Sequence, residues 1–300
     1  ENIDSCSCPR IVWDIMDTVA LLKIRGSFDE TLREAISLID GLKELESPLI
    51  LKPNICTGND HTECANTKVE VVATLVDEII RENGDIEIRL VESDSMSKYA
   101  DKAFDRYGYR DYVEELSSQG VNISLTNLSK SPLTEFQFDG TYFKNPKLPV
   151  ILSDAGSIVS VALAKTHSLT MITGALKNLF GFLPRKDQVF YHPNIHEVIQ
   201  DLNNMFRSSL CLIDGRMGLE GVISGNPKSL GCLILGRNPV SVDAVMARVL
   251  GFDPEKIRHI VEAGIIGLGS LNPEVIGNKV EDCRVEFKTP KGLKSNAVLG

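Results

Sequence analysis

The order β-α-β-α-β over residues 48–126 constrains this chain more than any other feature. The apolar run Pro48 to Leu51 halts at Lys52-Pro53-Asn54, where a polar, glycine-containing loop takes over. A helix is expected next, because Thr67 with Glu70 three residues on has capping-box spacing and Val69, Val72, Leu75, Val76, Ile79 and Ile80 recur with helical period up to Asn83-Gly84. Ile86 to Val91 reads as the next strand, 97–106 and 109–119 as helical, and Val121 to Leu125 as a third strand. Strands alternating with helices pair in parallel through right-handed crossovers. The class is therefore α/β, with parallel or mixed sheets flanked by helices.

Residues 127–149 break the rhythm with Ser, Thr, Pro, Asn and Lys and read as a linker or excursion. On this basis the chain divides into two Rossmann-like lobes, 1–145 and 150–300, with a cleft between them. The second half offers a strand from Ile158 to Ala164, a helix near 168–180, another near 194–206, and strands at Leu210 to Ile213 and Cys232 to Leu235. Asn238-Pro239 and Asp253-Pro254 each set a capping side chain before a proline suited to the first helical position, and Gly251 closes the earlier of these helices.

A net charge of −9 opposes condensation onto nucleic acid or anionic lipid, so neither is expected as a partner. No run of eighteen apolar residues exists to span a bilayer, and the opening ENIDSCSCPRIVWD lacks the basic region and apolar core of a secretory signal. The expected location is the cytoplasm. There the seven cysteines would be reduced thiols rather than a disulfide framework.

The chemistry concentrates between Lys165 and His192. On a helical wheel Thr170, Thr173 and Lys177 gather beside an apolar stripe of Leu169, Ile172, Leu176 and Phe180. With Lys165 and His167 at the carboxyl end of the preceding strand, cations, an imidazole and a helix N-terminus converge as an anion site would require. Asp214 ends an apolar strand and Glu220 lies in a glycine-rich loop; such a pair serves as acid and base, holds a hard cation, or caps backbone amides. Asp243 stands in the first turn of a helix, where the dipole alone favours an acid.

Several of these segments resemble, in order, the signature stretches of the domain-of-unknown-function-362 family. Lys165 to Gly181 (KTH, then TGALKNLFG) is the most specific. Lys52-Pro53-Asn54, Asp214-Gly215 with Glu220-Gly221, Val242-Asp243-Ala244 and Gly267-Leu268-Gly269 follow the family's shorter motifs, so the resemblance covers about residues 48–270. It adds Asn54 and Asn178 to the expected ligand-binding residues and raises His192 above a structural histidine. Some members of that family carry an appended ferredoxin-like domain. This sequence lacks the C-x2-C-x2-C-x3-C-P run of such clusters, so the resemblance implies a separate electron-transfer partner if the chemistry is redox.

The leading expectation is an enzyme that binds a small anionic metabolite, with Lys52, Asn54, Thr173, Lys177, Asn178, Asp214, Glu220 and Asp243 binding and Lys165, His167 and His192 catalytic. A carrier of a metal or iron-sulfur cluster on Cys6, Cys8, Cys56 and Cys64 competes with it, although the C-x-C and C-x7-C spacings fit no standard site. A non-catalytic sensor of the same ligand is the third reading.

Overall fold

The structure, a computed structural model, describes residues 17–299. Its strands are β1 (Thr18–Lys23), β2 (Leu49–Pro53), β3 (Ile88–Glu92), β4 (Ile123–Asn127), β5 (Leu133–Glu135), β6 (Lys147–Pro149), β7 (Ser157–His167), β8 (Met171–Thr173), β9 (Leu210–Gly221), β10 (Gly225–Gly236) and β11 (Glu274–Gly277). Its principal helices are α1 (Phe28–Leu38), α2 (Val69–Asn83), α3 (Ala100–Arg106), α4 (Tyr109–Ser118), α5 (Ala175–Asn178), α6 (Ile195–Met205), α7 (Pro239–Val249) and α8 (Arg258–Ile265).

A nine-stranded sheet in the order β11-β1-β10-β9-β7-β2-β3-β4, with β8 paired to β7, forms the backbone of the molecule. The run β9-β7-β2-β3-β4 is parallel throughout. Beyond it the long β9–β10 hairpin and the pairing of β1 with β10 are antiparallel. Side chains alternate across the sheet, so Leu49 and Leu51 of β2 join the apolar layer under α1 to α4, while Ile50 joins the layer under α5 to α8. Both faces are covered, which is why β2 and β7 are buried from end to end.

The two halves expected on either side of residues 145–150 share this sheet. β2 of the first half pairs directly with β7 of the second, and β1 pairs with β10. The crevice accordingly lies along the carboxyl edge of one sheet instead of between two. Residues 127–149 hold the small β5–β6 ladder and are tied to α6 by Asp201, whose carboxylate accepts from the backbone N–H groups of Thr141, Tyr142 and Phe143 at 2.7–2.9 Å.

Two local expectations are corrected. Thr67 does not cap α2; Lys68 is the N-cap residue without a side-chain bond, and the Thr67 hydroxyl accepts from Asn54 N–H and donates to Val161 O. Residues 168–174 are not helical either. They turn back as β8, with Met171 at positive φ and the Thr170 hydroxyl bonded to Ile172 O, and α5 is a single turn. Hydroxyls and branched side chains that bond their own backbone prefer such a turn to a helix. Asn238 caps α7 as expected, whereas Asp253-Pro254 opens a 3-10 turn before α8. Among the described residues no helix is long and apolar enough to cross a membrane.

Candidate functional site

The carboxyl ends of the adjacent parallel strands β3, β2 and β7 open onto a cavity of about 230 Å3, the place where open α/β sheets hold ligands. Lys52, Asn54, Lys165 and His167 line it from the strand ends. Thr173, Lys177, Asn178 and His192 close it from the segment that follows.

The β7–β8 hairpin arranges the floor. Its register sets Lys165 opposite Thr173, and Lys165 and His167 lie two residues apart on one strand, so the three side chains share a face. Lys165 is fully buried. Its ammonium donates to Asn54 Oδ1 at 2.5 Å and Ala65 O at 2.9 Å, and lies 3.5 Å from Cys56 Sγ. No carboxylate pairs with it among the described residues. Thr173 is also buried, and its hydroxyl has no partner there.

α5 carries Lys177 and Asn178 to the cavity and is held from behind. Asp243 of α7 accepts from the N–H groups of Ala175 at 2.6 Å and Leu176 at 3.0 Å. Burial pushes this carboxyl up to about 7 against the opposing pull of those two donors. Glycine is required at 174, because a Cβ there would stand 2.1 Å from Asp243 Oδ1. The anion expected at this helix N-terminus is thus the protein's own Asp243, which is not among the residues lining the cavity.

Lys177 is partly buried and, among the described residues, has neither hydrogen bond nor ion pair; its ammonium sits 5.3 Å from the centre of the Phe180 ring. Burial, and next the charge of Lys165, push its pKa down to about 8. Asn178 is fully committed. Its amide donates to Lys52 O and Ser160 Oγ, and its oxygen accepts from Asn54 Nδ2 at 3.2 Å. Together Asn54 and Asn178 form an amide chain from Lys165 to strand β2.

Lys52 has a different part from the one expected. Its ammonium donates to Glu92 Oε2 at 2.6 Å and to Pro53 O at 2.6 Å, with both partners of the pair buried. Glu92 also accepts from the backbone of Ile55 and Ser93 and lies 3.6 Å from Lys98. The charge of Lys52 is therefore spent inside the wall. Gly181 lets this pair fit, since a Cβ there would lie 2.4 Å from Lys52 Cε and 2.7 Å from Glu92 Oε1.

Both cavity histidines are held neutral. Burial first, then Lys177, His192 and Lys165, keep His167 well below the usual imidazole range. Its Nδ1 accepts from Leu169 N–H at 3.1 Å, which leaves the proton on Nε2. His192 is lowered by burial and by Lys177, with Asp187 opposing, and stands beside Phe180.

Other expected residues lie elsewhere. Asp214 is gripped by Arg216, at 3.0 and 2.8 Å, and faces a second cavity with Cys64. Glu220 pairs with Lys228 at 2.7 Å and accepts from Lys288 N–H beside a third cleft. Cys56 lines the first cavity, so the two described cysteines of the expected metal set face different spaces. Among the described residues no group of three His, Cys, Asp or Glu could hold a metal ion. Cys6 and Cys8 lie outside the described residues. Sequence reasoning missed Glu92, although a carboxylate closing β3 beside a strand that ends in lysine was a usable signal.

Comparison with known proteins gives three findings. A thylakoid-associated protein of Synechocystis sp. is 24% identical over 282 residues, covering 87% of this chain and 83% of that one. The lactate racemase apoprotein of Thermoanaerobacterium thermosaccharolyticum matches with a TM-score of 0.45 and 12% identity, over 69% of this chain and 51% of that one. The family model described as "Domain of unknown function (DUF362)" matches residues 49–248, and the chain belongs to that family.

Proposed function

We propose that the protein is an enzyme that binds a small anionic metabolite in the Lys165–Lys177 cavity and moves a proton on it. One observation carries this reading: the ammonium groups of Lys165 and Lys177 line a single small cavity, and among the described residues neither has a carboxylate partner, Glu92 being paired with Lys52. Like charges brought together out of water repel strongly, and a bound anion removes that cost. The buried Thr173 hydroxyl, without a partner among the described residues, supplies a further contact for the same ligand. His167 presents an N–H donor, and His192, kept neutral by burial and Lys177, presents an imidazole that can serve as a base toward the bound ligand. A cavity of about 230 Å3 suits a molecule of a few heavy atoms.

The carrier reading has less support, because Cys56 and Cys64 face different cavities. A panel of small carboxylates and inorganic phosphate, followed by thermal unfolding, tests the proposal. At least one anion should raise the melting temperature in the parent and not in a Lys165→Met variant. Equal shifts in both, or none in either, would count against it.

A further inference from the structure

The amines around the cavity differ in what they are free to do. Lys52 donates to Glu92 and Pro53 O, Lys98 to Ser93 O with Glu92 3.6 Å away, and Lys165 to Asn54, Ala65 O and Cys56 Sγ. Lys177 alone among these four has no hydrogen-bond or ion-pair partner among the described residues. An amine becomes a nucleophile when it is desolvated and set beside another cation, since both make it give up its proton. Lys177 meets both conditions, being partly buried beside the Phe180 ring and lining the same small cavity as Lys165. The two neutral imidazoles share its cavity.

We propose that Lys177 condenses with the ketone or aldehyde carbonyl of a small 2-oxo acid to form an imine, while Lys165 holds the acid's carboxylate. This rests on the anion-binding reading and names its substrate class. The Nζ lone pair attacks the carbonyl carbon, a C–N bond forms, and the C=O π pair moves onto oxygen, toward which His167 Nε2–H donates. His192 takes a proton from the new ammonium and returns it to that oxygen, giving a carbinolamine. The hydroxyl leaves as water with one proton taken up from solvent through His192, and the nitrogen lone pair closes the C=N bond of a protonated imine. Neutral amine, carbonyl and one proton yield protonated imine and water, with no oxidant or reductant. The free-amine fraction that this needs is appreciable at neutral to mildly basic pH, because Lys177 is lowered to about 8.

Trapping with sodium borohydride tests it, using pyruvate and glyoxylate as probes and calorimetry with each in parallel. The expected result is one reduced adduct per chain, mapped to Lys177 and lost in Lys177→Arg. Calorimetric binding of pyruvate or glyoxylate with no adduct on Lys177 would overturn the imine and leave the anion site standing. Adducts scattered over surface lysines and unchanged in Lys177→Arg would overturn it equally. If neither probe binds, the 2-oxo acid assignment fails; if in addition no anion in the thermal panel stabilises the protein, the anion-binding reading fails with it.

Discussion

Lys165 donates to Asn54 Oδ1 at 2.5 Å across 111 residues of sequence, so the most deeply buried ammonium of the cavity is held by a neutral amide. An aspartate at the same place would balance it. Asn54→Asp should therefore lower the affinity for small anions by about tenfold or more, the effect of neutralising a partly buried charge. Titration of the variant against the parent checks this, and unchanged affinity would show that Lys165 does not hold the ligand.

Lys177 makes a paired prediction. Removing its charge in Lys177→Met takes away repulsion from Lys165, so the ligand-free protein should keep or gain stability, while anion affinity falls by about a hundredfold. The pH dependence has a definite sign. Folding lowers this amine from 10.5 to about 8, so between those values the unfolded chain binds the proton more strongly and stability rises with pH. Anion affinity moves the opposite way and declines as pH passes through about 8. Denaturation and titration across pH 7 to 10 would read both trends, and Lys177→Met should flatten them.

Asp243 acts at a distance from the ligand, as a positioning residue. Asp243→Ala leaves the N–H groups of Ala175 and Leu176 buried and unpaired, a cost of about 2–4 kcal/mol. Asn keeps one acceptor and should cost less. Both variants should weaken anion binding in step with their effect on α5, and a destabilised variant with parental affinity would contradict that role.

Lys52 and Glu92 should behave as a coupled unit. Either single truncation leaves a buried charge without its main partner, at about 3–5 kcal/mol, whereas Lys52→Met with Glu92→Gln should cost much less than the sum. Additive losses in urea denaturation would show that the pair is not coupled.

Much of this architecture is legible in the sequence, and the exceptions have physical causes. The β2-α2-β3-α3-α4-β4 run shows itself because apolar period and turn residues agree along it. The joining of both halves into one sheet is invisible, since strand pairing between β2 and β7 depends on contacts more than 100 residues apart. Asn54, Lys165, His167, Thr173, Lys177, Asn178 and His192 do share a cavity. Yet the helical wheel that grouped Thr173 with Lys177 describes a helix that does not form. They meet because β8 folds back on β7 and α5 follows at once. The partner of a charged residue is equally hard to foresee: Lys52 and Lys177 read alike in sequence, but of the two it is Lys52 that pairs with Glu92.

Anomalous diffraction from crystals soaked in bromide shows where the protein itself holds an anion. An anomalous peak is expected in the cavity, within contact of Lys165, Lys177 and the Thr173 hydroxyl, and should disappear in Lys177→Met. Bromide bound elsewhere on the molecule with this cavity empty would contradict it.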